Sequence, residues 1–166
     1  MVSGSVASVL HGEPRSTQDV DVVIAPTLPN LRTFVGLVRT DCYVNPESAE
    51  EALKERSMFN IVDLDSGWKA DLILRKERAF SAAEFERRRR VDLMGIHVSV
   101  VSPEDSILSK LEWAKETGSA RQLRDAQSIV RVQGARLDLD YLRRWARELG
   151  VDEPLQRLLE QIEEDQ

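Results

Sequence analysis

Gly4-Ser5-Val6-Ala7-Ser8-Val9-Leu10-His11-Gly12-Glu13-Pro14-Arg15-Ser16-Thr17-Gln18-Asp19-Val20-Asp21-Val22-Val23-Ile24 is the stretch that decides the fold. Residues 20–24 predict a strand, stopped by Pro26. Asp19 and Asp21, spaced i, i+2, then point to one face, and Val20, Val22 and Ile24 point to the other. Two carboxylates side by side repel each other unless a cation lies between them. Residues 5–10 predict a short helix ending at Gly12, with Gly4-Ser5 just before it. A glycine lets a phosphate approach the backbone closely. The serine offers a hydroxyl, and the helix start adds free N–H groups and the positive end of its dipole.

A third carboxylate lies in Lys69-Ala70-Asp71-Leu72-Ile73-Leu74. An ionised Asp inside an apolar strand is costly to bury unless something pairs with it. A site shared by Asp19, Asp21 and Asp71 explains the cost, and magnesium suits a few carboxylates plus substrate phosphate oxygens. In two-metal chemistry one ion activates an attacking hydroxyl and the other stabilises a leaving pyrophosphate. Asp71 is also a candidate to accept the hydroxyl proton. Asp-x-Asp alone is common at solvated strand ends. Its conjunction with Gly4-Ser5, Arg15-x-Thr17 and Asp71 makes it specific.

Outward from this stretch, residues 1–102 mix strand and helix signals and residues 103–166 are almost purely helical. Leu31, Phe34, Val35 and Val38 recur at helical spacing after Thr27 and Pro29. Residues 47–56 and 81–90 predict helices. Residues 59–64 and 68–74 predict a hairpin around Asp65-Ser66-Gly67, and residues 97–101 a further strand. Pro103 marks the start of the helical part. Its clearest stripe is Leu139, Leu142, Trp145, Ala146 and Leu149, with Asp138 as the cap and Gly150 as the stop. Leu155, Leu158, Leu159 and Ile162 form the last stripe. Trp113 and Trp145 are expected in the core. The whole is expected to be one compact unit, with the helices packed on the sheet.

The 166 residues suit about one domain, 42% hydrophobic and 31% charged. One cysteine, Cys42, excludes an intrachain disulfide and agrees with a reducing, cytoplasmic setting. No apolar run approaches the length of about 18 residues that a membrane helix needs. A net charge of −6 argues against a broad, sequence-blind grip on nucleic acid, although Arg87-Arg88-Arg89-Arg90 is a local basic run. That run is expected on a solvated helix face, with contact to RNA or an acidic partner as the alternative. His11 is expected to be a hydrogen-bonded turn histidine, and His97 has no second ligand nearby.

The residues from Gly4 to Asp21, together with Asp71, resemble the nucleotidyltransferase superfamily that shares the DNA polymerase β catalytic fold. The nearest resemblance is to the bacterial AbiEii-type group, which includes toxins of toxin–antitoxin systems. The features carrying it are Gly4-Ser5, the short helix, His11-Gly12, Arg15-x-Thr17, Asp19-x-Asp21 and the later Asp71. Lys110 looks like the family's helix lysine, and Arg124-Asp125 like its Arg-Asp pair; the resemblance runs through Val130.

It implies an α/β (α+β) fold: a small mixed sheet flanked by helices, then a C-terminal helical bundle. It implies transfer of a nucleoside monophosphate from NTP, with Mg²⁺ or Mn²⁺ on Asp19, Asp21 and Asp71. Nucleotide contacts would come from Gly4, Ser5, Arg15, Thr17, Lys110 and Asp125. Lys110 on its own also fits a solvated helix lysine, and Asp125 a partner of Arg121 or Arg124 on its own helix. The acceptor would be tRNA, a protein or a small molecule, and the partner an antitoxin or a second copy. The alternative is a catalytically degenerate module acting through a protein partner.

One departure stands out. The family has a hydrophobic strand before Gly-Ser, whereas only Met1-Val2-Ser3 precede it here. Three residues fall short of a usual strand of about five or six. The expectation is a sheet edge left open beside the Asp19–Asp21 strand and covered by a second copy or a crystal contact, or else disorder and solvent exposure of residues 1–5.

Overall fold

Capping residues set most helix boundaries. Thr27, Asn45, Ser102 and Asp138 each accept a backbone N–H from the first helical turn, and Pro29, Pro46 and Pro103 sit where a missing N–H costs nothing. Gly118 and Gly150 close their helices at φ +70° and +63°. The computed structural model describes residues 1–17, 19–93 and 95–164, with side chains described as far as residue 161. The Ile162 side chain of the last predicted stripe therefore lies outside the described residues.

The chain runs β1 (Val2–Ser3), α1 (Gly4–His11), β2 (Asp19–Ile24), α2 (Leu28–Val38), β3 (Cys42–Tyr43), α3 (Pro46–Glu55), β4 (Met58–Asp63) and β5 (Lys69–Leu74). It continues through α4 (Ala79–Glu86), β6 (Arg89–Leu93), β7 (Ile96–Val100), α5 (Pro103–Thr117), α6 (Ala120–Gln133), a 3₁₀ turn (Gly134–Arg136), α7 (Leu139–Leu149) and α8 (Asp152–Glu164). The fold is a mixed α/β fold. Two compact units divide the chain: Met1–Val6 with Ser16–Val100, and Ala7–Arg15 with Val101–Gln166.

The first unit holds a mixed sheet in the order β3-β4-β5-β2-β1-β7-β6. β2 and β5 run parallel over six residue pairs, and β4 and β5 form the predicted hairpin. One face carries Val22, Ile24, Phe59, Ile61, Ala70, Leu72 and Leu74. It packs with Leu31 and Val35 of α2 and with Ala49 and Ala52 of α3. Alternation along the strands leaves Asp19, Asp21, Lys69 and Asp71 on the opposite face.

Two expectations are corrected here. The helix over residues 81–90 stops at Glu86, and Arg89–Leu93 instead forms β6, antiparallel to β7. Val91 pairs with Val98 and Leu93 with Ile96, and the turn between the strands is held by Gly95 N–H donating to Asp92. The arginine run hid a period-two pattern, so Arg89 and Arg90 belong to a strand. The second correction concerns β1. Its two residues lie inside the sheet, antiparallel to β2 and parallel to β7. No uncovered edge follows beside β2 among the described residues, because β7 arrives from far along the chain to take the other side.

The second unit is built on α5 and α6, with α7 and α8 beside them. Ile107, Leu108, Leu111, Ile129, Leu142, Trp145 and Leu155 form its buried interior. Trp113 is 53% exposed, against the core expectation, and Leu123 and Leu139 also stand at the surface. His11 is structural as expected: its Nε2 lies 2.7 Å from the Val101 carbonyl, and its own carbonyl accepts from Gln133. Gly12 sits where a Cβ would meet Ser128 Oγ at 2.6 Å and the Ile129 backbone nitrogen at 3.1 Å, so His11-Gly12 is a close-packing element of this unit.

Candidate functional site

In-register pairing builds the first site. Asp21 stands opposite Asp71 across β2 and β5, and Asp19 stands opposite Lys69. Residues paired in this way present their side chains to the same face. On either side of the two aspartates, Ser3 pairs with Asp21 and Asn60 with Asp71. A polar row, Ser3-Asp21-Asp71-Asn60, therefore crosses four strands. Asn60 and Ser3 were not legible as members, because only the pairing register identifies them.

Burial differs along this face. Asp19 is exposed, Asp21 intermediate, and Asp71 only 8% exposed. Asp71 Oδ2 lies 3.1 Å from Lys69 Nζ. Asp71 Oδ1 is buried and has no hydrogen-bond partner. Such an oxygen costs about 1–3 kcal/mol if left unmet. An orphaned carboxylate oxygen beside two further carboxylates on one face fits a hard divalent cation, which takes oxygen ligands.

Lys69 bears on the same cluster. Its ammonium is held above the usual lysine range, first by the hydrogen bond and charge of Asp71, then by the charges of Asp19 and Asp21. Among the described residues, no three His, Cys, Asp or Glu side chains stand close enough together to hold a metal as they are.

Gly4 positions Asp21. It adopts φ +56°, and a Cβ there would fall 1.8 Å from Asp21 Oδ2. The Asp21 carboxylate thus occupies the space a side chain would fill, and the N–H of Ser5 points to it at 3.4 Å. The start of α1 therefore faces a carboxylate in this structure. Thr17 Oγ1 donates to the Asp19 carbonyl, bracing the start of β2. Gly4→Ala is expected to lose about 1–2 kcal/mol from the left-handed backbone alone. The displaced Asp21 adds to that, so the loss in a thermal melt should exceed that of Gly67→Ala. Gly67 has a similar φ of +72° but open space around its Cβ. Equal losses would remove the close approach as the reason for glycine.

Arg15, Lys110 and Asp125 form a second cluster, within the second unit. Arg15 makes a two-pronged contact with Asp125, Nε to Oδ1 at 2.9 Å and a terminal nitrogen to Oδ2 at 2.8 Å. Lys110 Nζ donates to the same Oδ2 at 2.9 Å and to Gln122 at 2.9 Å. The side chains of Lys110 and Asp125 are 6% and 8% exposed, and that of Arg15 is 26% exposed. Neither bland expectation holds: Lys110 is not solvated, and Asp125 takes its partners from elsewhere in the chain. Burial pushes the Asp125 carboxyl up, but the hydrogen bonds from Arg15 and Lys110 outweigh it and leave the group below its ordinary range.

The fold is nucleotidyltransferase-like. A solved structure similar to this chain is that of an antigenic nucleotidyltransferase-like protein from Paracoccidioides brasiliensis. The two are 15% identical with a TM-score of 0.50, over 91% of this chain and 82% of that one. At that identity the likeness is one of fold alone. No family model matches the chain, and no curated protein matches it. No described helix is long and apolar enough to cross a membrane.

Proposed function

We propose that this chain transfers a nucleoside monophosphate from NTP to a hydroxyl or phosphate acceptor. The observation that carries the reading is the register that sets Asp21 against Asp71 on one face, with a buried, unpartnered Asp71 oxygen. Asp19, Asp21 and Asp71 would hold Mg²⁺ or Mn²⁺. That ion, when bound, supplies charge stabilisation on the phosphates. An acceptor oxygen forms the new bond to the α-phosphorus, the bond from that phosphorus to the bridging oxygen breaks, and pyrophosphate leaves. Asp71 is assigned the acceptor's proton.

Gly4, Ser5 and Thr17 are assigned to the nucleotide side of the Asp19–Asp21 strand. Arg15 is the member of its cluster with charge still partly open to solvent, so it is the one assigned to an anion, with Lys110 and Asp125 holding it. The acceptor is tRNA, a protein or a small molecule. A toxin role of the AbiEii type, with an antitoxin partner, is the finer form of this reading. The second reading, a degenerate module working through a partner, is favoured by the lack, among the described residues, of three carboxylates close enough together to hold a metal as they are.

Incubation with each α-labelled NTP, Mg²⁺ or Mn²⁺, and total RNA or protein separates the two. Label carried onto a macromolecule, with release of pyrophosphate, supports transfer. No label with any donor, alongside undiminished partner binding, supports the module.

A further inference from the structure

We infer that Lys69 is a resident counter-cation that makes the carboxylate face select a metal–nucleotide complex over a free metal ion. The inference rests on the nucleotidyltransferase reading and assigns a role to a residue that reading does not use. Lys69 lies on the same face as the three aspartates: it pairs in register with Asp19 and precedes Asp71 by two residues. Its ammonium is 3.1 Å from Asp71 Oδ2, while Oδ1 of the same carboxylate has no partner. The lysine thus neutralises one oxygen of the most buried aspartate and leaves the other unmet.

A divalent ion arriving alone meets this ammonium. It must displace the lysine from Asp71 or bind beside a positive charge, and either course weakens its binding. An ion arriving on a triphosphate brings phosphate oxygens with it. The displaced ammonium then has a new anionic partner, so the same displacement costs far less. The consequence is positive coupling between metal and nucleotide, written into one side chain. The Lys69 side chain is 38% exposed, so its stem can swing from Asp71 towards a ligand without disturbing the core.

Lys69 acts as a positioning residue through Asp71, and binding, not turnover, is its proper readout. The test is Mn²⁺ binding by isothermal titration and by the paramagnetic signal of the free ion. Each is measured with and without an α,β-methylene NTP analogue that cannot be transferred, on the wild type, Lys69→Gln and Lys69→Arg. Lys69→Gln should bind Mn²⁺ alone about tenfold more tightly, the scale of removing one charge a few ångströms from a divalent ion in water-like dielectric. Its further gain when the analogue is added should be smaller than that of the wild type by the same factor, because the direct bonds between metal and phosphate remain. Lys69→Arg keeps the charge and should retain both the weak metal binding and the coupling.

Unchanged or weaker Mn²⁺ binding by Lys69→Gln, with the wild type binding both ligands, overturns the role of Lys69 and leaves the transferase reading standing. Binding of neither Mn²⁺ nor the analogue by the wild type overturns both. Should Lys69→Gln fail to fold, loss of coupling in Lys69→Arg would count against the inference by itself.

Discussion

Asp71→Asn is expected to lower nucleotidyl transfer by at least about a thousandfold, equivalent to roughly 4 kcal/mol of transition-state stabilisation, while the metal-free protein melts at the same temperature or a few degrees higher. The two halves have different causes. Transfer should fail because, in the proposed reaction, the amide can neither hold the cation nor take the proton assigned to the carboxylate. The fold survives because Asp71 is poorly satisfied in it. One oxygen is buried without a partner, and the other meets a lysine that is itself partly exposed. A pair whose lysine side chain is more than a third exposed is screened by solvent and contributes about 0–1 kcal/mol, less than the roughly 1–3 kcal/mol an unmet buried oxygen costs. Removing the charge also relieves Asp21, its in-register neighbour. For a chain of this size each kcal/mol moves the midpoint by about 2–4 °C. Melting in EDTA and the labelled-NTP assay measure the two halves. A large fall in midpoint with transfer intact would make Asp71 a structural residue.

The strands that carry the carboxylates were legible in the sequence because apolar and acidic residues alternate at their start. Val22 and Ile24 pack in the core as expected, whereas Val23, on the face of Asp19 and Asp21, is the one buried residue of β2. The helix caps at Thr27 and Asp138 were equally legible, since capping is local chemistry. Strand β6 was not, because four arginines in a row obscure a period of two and its partner lies beyond a turn. Nor was the place of β1. Two residues carry no periodicity, and only pairing with β2 and β7 makes them a strand.

The site shows the same division. Asp19, Asp21 and Asp71 follow from residue type and spacing. Asn60 and Ser3 enter through register alone, and Lys69 enters because it shares a face with Asp71. Lys110 and Asp125 came from resemblance, and burial changes their meaning. What sequence spacing presents as a charge available to a ligand is, in the folded chain, half of a buried pair.

Asp125→Ala is therefore expected to destabilise the protein by about 3–5 kcal/mol, the range found when one partner of a buried ion pair is removed. Lys110, at 6% side-chain exposure, would keep only Gln122 of its two described contacts, and Arg15 would lose both prongs. Asp125→Asn keeps the shape and isolates the charge. The Asp125 carboxyl is held below its unfolded value of about 3.9, so its stabilisation is fully present above that pH and is lost as pH falls through the folded value. The stability difference between wild type and Asp125→Asn should be constant from pH 7 to about pH 5 and shrink below about pH 4. Urea unfolding followed by circular dichroism at each pH measures it. A difference that grows on acidification would mean that burial, not the two cations, sets the ionisation of Asp125. A small loss in both variants at pH 7 would mean that Lys110 and Arg15 find other partners when the carboxylate is gone.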